Sequence, residues 1–258
     1  MGGGACFSVL YNCVLTGNWA GEGGGAYGGT LHSSIVTGNS ADHGGGGISQ
    51  STVYNCTLVG NSVCYGDGGG AAAGGTLYNS ILYYNSIASG VGANYAWSAT
   101  LNYCCTTPIP TNGVGNITGP PLFMDMAAGD FRLWEGSACI DAGTNLLSVA
   151  GYSCEPTDIL GNARFIDGNG DGKVAWDIGA YEFHSFKPPR FSVAPQLTPN
   201  GWLLNVTGAP NKWARLQRSS NLKDWMDVWS GFMGAEGTRQ FTDNDRGPNV
   251  MFYRAVVQ

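Results

Sequence analysis

Through its first hundred residues the chain alternates apolar and polar positions in short runs, and each pair of runs closes on the same polar phrase. "YNCVLTGN" returns as "HSSIVTGN", "YNCTLVGN" and "YNSILYYN", ending at Asn18, Asn39, Asn61 and Asn85, at spacings of 21, 22 and 24 residues. A period of two over a few residues predicts strands. Self-similarity at this spacing, with no helical period, predicts a solenoid of strands in which each coil buries its apolar side only against its neighbours. A leucine-rich repeat would need a Leu-rich consensus that is absent.

Aligning the copies puts Leu10, Leu31, Val53, Leu77 and Leu101 in one column inside the coil, and Val14, Ile35, Thr57 and Ile81 in a second inside column. The residue after "YN" or "HS", and after "NY" in the fifth copy, is Cys13, Ser34, Cys56, Ser80 or Cys104, always small, as a crowded corner demands. Asn18, Asn39, Asn61 and Asn85 are expected at turns, with amides hydrogen-bonding from coil to coil. Blocks of glycine at 2–4, 23–25, 44–47 and 68–70 fit tight backbone approach or positive φ. They lack the Lys and the following helix of a phosphate-binding loop.

Past the repeats, the pattern changes at 119–183 and again after 187–190, where Pro188 and Pro189 mark a linker. Residues 191–258 read as alternating strands, "WLLNVTG", "WARLQRSS", "MDVWSGF", "RQFTD" and "MFYRAVVQ", split by Gly, Pro, Asn and Asp turns. The expected organisation is all-β. A single-stranded parallel β-helix with its closing segment spans 1–186, and a small antiparallel β-sandwich follows the linker.

Charge sharpens this division. No Lys or Arg occurs before Arg132, and those first 131 residues hold five carboxylates, which excludes a nucleic-acid groove there. Residues 187–258 carry nine basic and five acidic side chains, scattered as on a solvated surface. There is no apolar run long enough for a transmembrane helix. The chain opens directly on repeat sequence, "GGGACFSVLYN", with no leader. That predicts an upstream part, and a first coil with an open edge suited either to a monomer or to end-to-end assembly.

"GPPLFMDMAAGDFRLWEGSACIDAGTN" and "DILGNARFIDGNGDGKVAWDIGAYEF", with "GGGAY", "GGGGI" and "TGN" before them, resemble the choice-of-anchor Q proteins of bacterial surfaces, related to polymorphic outer-membrane-protein repeats. The likeness covers 1–183, with Val, Ile or Leu where that family's repeat has Phe. It implies a right-handed parallel β-helix on an exported, cell-surface or secreted protein, and no established enzymatic activity. "SSNLKDW", "FTDND" and "FYRAV" resemble the small immunoglobulin- or fibronectin-like module of exported proteins of the Verrucomicrobia type.

Several residue groups have the makings of chemistry. "DGNGDGKVAWD" places Asp167, Asn169 and Asp171 at alternate positions before Gly172, with Asp177 beyond, as in the start of a calcium loop; Ile178 stands where a bidentate Glu belongs. The plainer alternative is an acidic glycine turn. Glu22, Asp42 and Asp67 each precede a glycine block, so stacked coils would bring them to separations of about 5 to 10 Å, the range used by glycosidases. A solvated ladder without function is the other reading. A lyase of the β-helix type would need a base that the coils lack. His32, His43 and His184 show no ligand spacing and are expected at the surface or in turns. Cys13 and Cys56 lie two coils apart, too far to bridge, whereas Cys139 and Cys154 flank one loop and are the expected disulfide. Trp202, Trp213, Trp225 and Trp229 form either an aromatic platform for sugar or the sandwich core. The function these features point to is a non-catalytic adhesin, binding scaffold or stiff spacer facing an extracellular glycan or surface protein. A glycoside hydrolase or lyase using the turn carboxylates is the alternative.

Overall fold

The computed structural model describes residues 2–65, 68–88, 94–149, 152, 156–184, 190–208, 213–234, 237–245 and 251–257. They fall into two units, Met1–Phe183 and His184–Gln258. No α-helix occurs among the described residues; a 3₁₀ turn at Leu146–Ser148 is the single helical element among them.

The first unit is a parallel β-solenoid. Each coil contributes to three parallel sheets, the first through Val9–Tyr11, Thr30–His32, Ile48–Tyr54, Ala72–Tyr78 and Thr100–Asn102. The second sheet stacks Val14–Thr16, Ile35–Thr37, Thr57–Val59, Ile81–Tyr83 and Cys105–Thr106, and the third stacks Trp19–Ala20, Ser40–Ala41, Ser62–Val63 and Ser86–Ile87. The register is the one the repeat predicts: Leu10 pairs with Leu31, Leu31 with Val53, Val53 with Leu77 and Leu77 with Leu101. Three stacked rows of left-handed residues bend the chain at the corners. They are Phe7, Gly28, Gln50 and Gly74; Asn12, Ser33, Asn55, Asn79 and Tyr103; and Gly17, Gly38, Gly60 and Tyr84.

The glycine blocks close the narrow edge of each coil. A Cβ on Gly24 would stand 2.2 Å from the Ser40 carbonyl oxygen across the coil, and one on Gly46 would stand 2.1 Å from that of Ser62. Backbone meets backbone there, and no side chain fits.

One expected column turns out to face the other way. Val14, Ile35, Thr57 and Ile81 do stack, but alternation along each strand sends their neighbours Leu15, Val36, Leu58 and Leu82 into the solenoid core and leaves them on its outside. The closing segment covers that outer column from Ile35 onward and leaves Val14 exposed. Ile35 packs with Val59, Phe131 and Ala180, and Ile81 and Cys105 pack with Leu133, Cys139, Ile140 and Ile178. Gly179, at φ +116°, allows this approach, since a Cβ would come 2.7 Å from Ile81 Cδ1.

Within the closing segment, Phe123–Asp125 and Asp130–Leu133 pair antiparallel. The second unit has two antiparallel sheets. Gly201–Thr207 pairs with Arg190–Phe191, Gln196–Thr198 and Thr238–Asp243, while Trp213–Ser219 lies between Met226–Phe232 and Phe252–Val257. Leu204 and Val206 from one sheet meet Ala214 and Leu216 from the other, with Met233, in a shared sandwich-like core. The expected linker at 187–190 lies outside the described residues, except that Arg190 begins a strand.

Candidate functional site

Of the turn carboxylates, Glu22 and Asp42 stand on different levels of the stack. Ala20 pairs with Ala41 and Ala41 with Val63, so counting two residues on puts Glu22 level with His43 and Tyr65. Asp42 is level with Gly21 and Cys64 instead. The main-chain bonds His43 N–H to Gly21 O and Tyr65 N–H to Asp42 O keep that register. Glu22 and Asp42 therefore occupy successive positions whose side chains alternate, and Glu22 is exposed. Asp67 lies outside the described residues. The second coil reaches its carboxylate one residue sooner than the first, which takes Asp42 off the level of Glu22.

The acidic glycine loop folds onto its own amides. Asp167 Oδ1 accepts from the N–H of Gly170 and Asp171, and Oδ2 accepts from that of Gly172. Asn169 Oδ1 accepts from Asp171 N–H, and Asp171 Oδ1 from Lys173 N–H. Asp177 meets this loop through Asp141, whose carboxylate accepts from the N–H of Gly168 and Asn169. It is fully buried, with Oδ1 accepting from Asp141 N–H at 2.7 Å and Oδ2 from Phe183 N–H. Among the described residues no group of three or more His, Cys, Asp or Glu side chains could hold a metal ion.

Asp177 belongs to a buried network that the sequence did not reveal. The Arg164 guanidinium, with no exposed surface, bonds Glu182 Oε2, the carbonyls of Thr157, Gly179 and Ala180, and Ser33 Oγ of the second coil. Asp158 accepts from Leu160, Asn162 and Glu182 N–H, and Glu182 Oε2 accepts from Asp177 N–H. Burial pushes the Asp177 carboxyl up to about 7 and that of Glu182, beside Asp177, up to about 9. One cation against this many buried carboxyls favours a retained proton on Glu182, whose Oε1 has no hydrogen-bond partner. The phrases "DILGNARF" and "DIGAYEF" carried these residues, but their meeting depends on contacts between distant segments. The network clamps the closing segment to the solenoid.

Polar ladders run through the coils. The oxygen of Asn39 accepts both N–H and Nδ2 of Asn18, and the pattern repeats from Asn39 to Asn61 and from Asn61 to Asn85. Asn85 gives the same two bonds to Asn94, a member the repeat alignment did not find because it stands nine residues on. The left-handed residue at this corner is the one before the Asn. A second ladder uses the small column. Cys13 N–H donates to Ser34 Oγ, Ser34 N–H to Cys56 Sγ and Cys56 N–H to Ser80 Oγ.

His32 is a correction to the surface assignment. It is buried to 1% exposure in a column of rings, stacked on Tyr11 at 4.6 Å and on Tyr54 at 5.0 Å, with Tyr78 next and Tyr152 edge-on. Burial pushes its pKa down, and Nδ1 has no hydrogen-bond partner. His43 is exposed beside Tyr65. Cys139 is a buried free thiol, and its expected partner Cys154 lies outside the described residues.

In the second unit, Trp202 and Trp229 pack against the core. Trp213 packs edge-on against Phe232 at the surface. Trp225 lines a surface concavity with Arg218, Ser219, Asp224, Met226 and Asp245. Arg254 covers one face of its ring at 4.2 Å, and Arg218 is held by Asp243 and Asp245.

Fold and sites together define a parallel β-solenoid followed by an antiparallel β module. The chain matches no protein-family model, and it matches no curated protein. None of its described helices is long and apolar enough to cross a membrane, which leaves β-barrel spans unaddressed.

Proposed function

We propose that the protein is a non-catalytic bacterial surface or secreted scaffold, a stiff solenoid whose second unit binds an extracellular glycan at Trp225. The concavity around Trp225 supports this most directly. It sets an aromatic ring beside the carboxylates of Asp224 and Asp245 and the guanidinium of Arg218, the mixture of stacking surface and fixed polar groups that sugars need. Stiffness follows from the ladders, since a coil bonded on both sides cannot move alone. The likeness of "DIGAYEF" and the repeats to choice-of-anchor Q proteins supports surface display. The hydrolase alternative loses its footing where Glu22 and Asp42 fail to share a level. On a glycan array we expect binding without product release, at least tenfold weaker in Trp225→Ala and unchanged in Glu22→Gln. Sugar cleavage abolished by Glu22→Gln would establish the hydrolase instead.

A further inference from the structure

Cys104 and Cys105 are consecutive and point to opposite sides of their strand. Cys104 enters the solenoid core, and Cys105 joins the outer column beneath the closing segment. That column is otherwise built of branched residues, Val14, Ile35, Thr57 and Ile81. It changes to cysteine at the coil where Cys139 arrives. Both residues have no exposed surface, share one cluster with Ile81, Leu133, Ile140 and Ile178, and lie with the Cys139 thiol within hydrogen-bonding reach of the Cys105 thiol. Three further cysteines are placed differently. Cys13, Cys56 and Cys104 belong to the small column, separated from one another by Ser34 and Ser80.

We propose that Cys105 and Cys139 form a disulfide that fastens the closing segment to the last coil, in place of the Cys139 to Cys154 bridge expected from sequence. The oxidant is a small-molecule disulfide such as oxidised glutathione. One cysteine thiolate attacks it, forming a mixed disulfide and releasing one glutathione thiol. The second cysteine thiolate then displaces the other glutathione, so two electrons and two protons leave with two glutathione thiols. The hydrogen bond to Cys105 and burial raise the Cys139 pKa well above the ordinary thiol value, and the docked pair is sealed from solvent. The bridge therefore closes during folding, before the closing segment seats. Afterwards the same burial protects it from reductants. The closed loop encloses the bonded stretch around Val114 to Ile117 and the hairpin of Phe123–Asp125 with Asp130–Leu133, so its closure constrains the unfolded chain.

The test is to refold the reduced chain in a glutathione redox buffer, block free thiols in denaturant, digest with chymotrypsin without reduction, and map the peptides by mass spectrometry. The expected result is a cross-linked pair containing Cys139 and the Cys104/Cys105 peptide, kept in Cys104→Ser and lost in Cys105→Ser. The oxidised chain should melt higher than the chain refolded with reductant, and Cys139→Ser should abolish that difference. Finding Cys105 and Cys139 both blocked as free thiols, or Cys139 joined to Cys154 or Cys104, overturns the proposal. Because the map is read on the unaltered chain, a variant that fails to fold does not obscure it. Glycan binding plays no part in the readout, so the proposed function stands or falls separately.

Discussion

His32 fills a place that tyrosine holds in the coils on either side, and the substitution carries a consequence for acid stability. In the unfolded chain its imidazole titrates near the ordinary value of about 6.5. In the folded chain, burial among Tyr11, Tyr54 and Tyr152 lowers that value. The unfolded state thus binds the proton first as pH falls, and its linkage drains stability from about pH 6.5 downward to the lowered folded pKa. Glu182 acts with opposite sign. Its raised carboxyl, at about 9, contributes stability that is complete below the ordinary carboxyl range and lost as pH rises through the folded value. The two effects oppose each other in weakly acidic solution, so the histidine is best isolated by substitution. His32→Tyr should remove part of the acid loss seen in urea denaturation between about pH 7 and about pH 5, at a slope of up to about 1.4 kcal/mol per pH unit for one proton. Equal acid loss in the variant and the parent chain would show that the ring column does not hold His32 neutral.

Among elements, the asparagine ladder makes the strongest demand. Asn61 has no exposed surface; its oxygen serves Asn39 N–H and Nδ2, and its own Nδ2 donates to Val36 O and Asn85 Oδ1. Asn61→Ala strands donors on one side and acceptors on the other, which should cost about 2 to 4 kcal/mol. Asn18→Ala, at the half-exposed end of the ladder, should cost about 1 kcal/mol or less. Urea midpoints at unchanged m-value measure both, and equal losses would mean that the ladder is incidental. The ladder also marks what could be read beforehand. The column from Leu10 to Leu101 and the four Asn levels were legible because a solenoid turns sequence period into vertical contact. The outward turn of Val14, Ile35, Thr57 and Ile81 was not, because both faces of that sheet are apolar and the period alone does not say which one is covered by the chain beyond residue 119. Arg164 on Ser33 and Asn79 on Thr144 are contacts across 131 and 65 residues, outside the reach of any repeat. The candidate site suffered most, since a single residue's difference in coil length moved Asp42 off the level of Glu22.

At the scale of the whole molecule the stack behaves as a one-dimensional array, and its coils are not equally held. In the first coil described, Phe7, Val9, Val14 and Trp19 are 72, 59, 59 and 62% exposed, and its strands pair with those of the second coil. The coils of Leu58 and Leu82 have bonded neighbours on both sides, and their outer faces lie under the closing segment through Val59 and Ile81. Because each coil's stability comes from its interfaces, opening should begin in the coil whose side chains are least buried and advance coil by coil. Native-state hydrogen exchange on the full chain should therefore rank the amides. Phe7 and Asn12, bonded to the second coil, should exchange fastest. Ile35 should come next, and Thr57 and Ile81 should be slowest, opening only with the solenoid as a whole. Amides of Leu204 and Leu216, in the separate core of the second unit, should follow a free energy of their own. A single exchange free energy shared by Asn12 and Ile81 would mean that the closing segment's clamp at Arg164 makes all the coils one cooperative block, reaching past the second coil to hold the first.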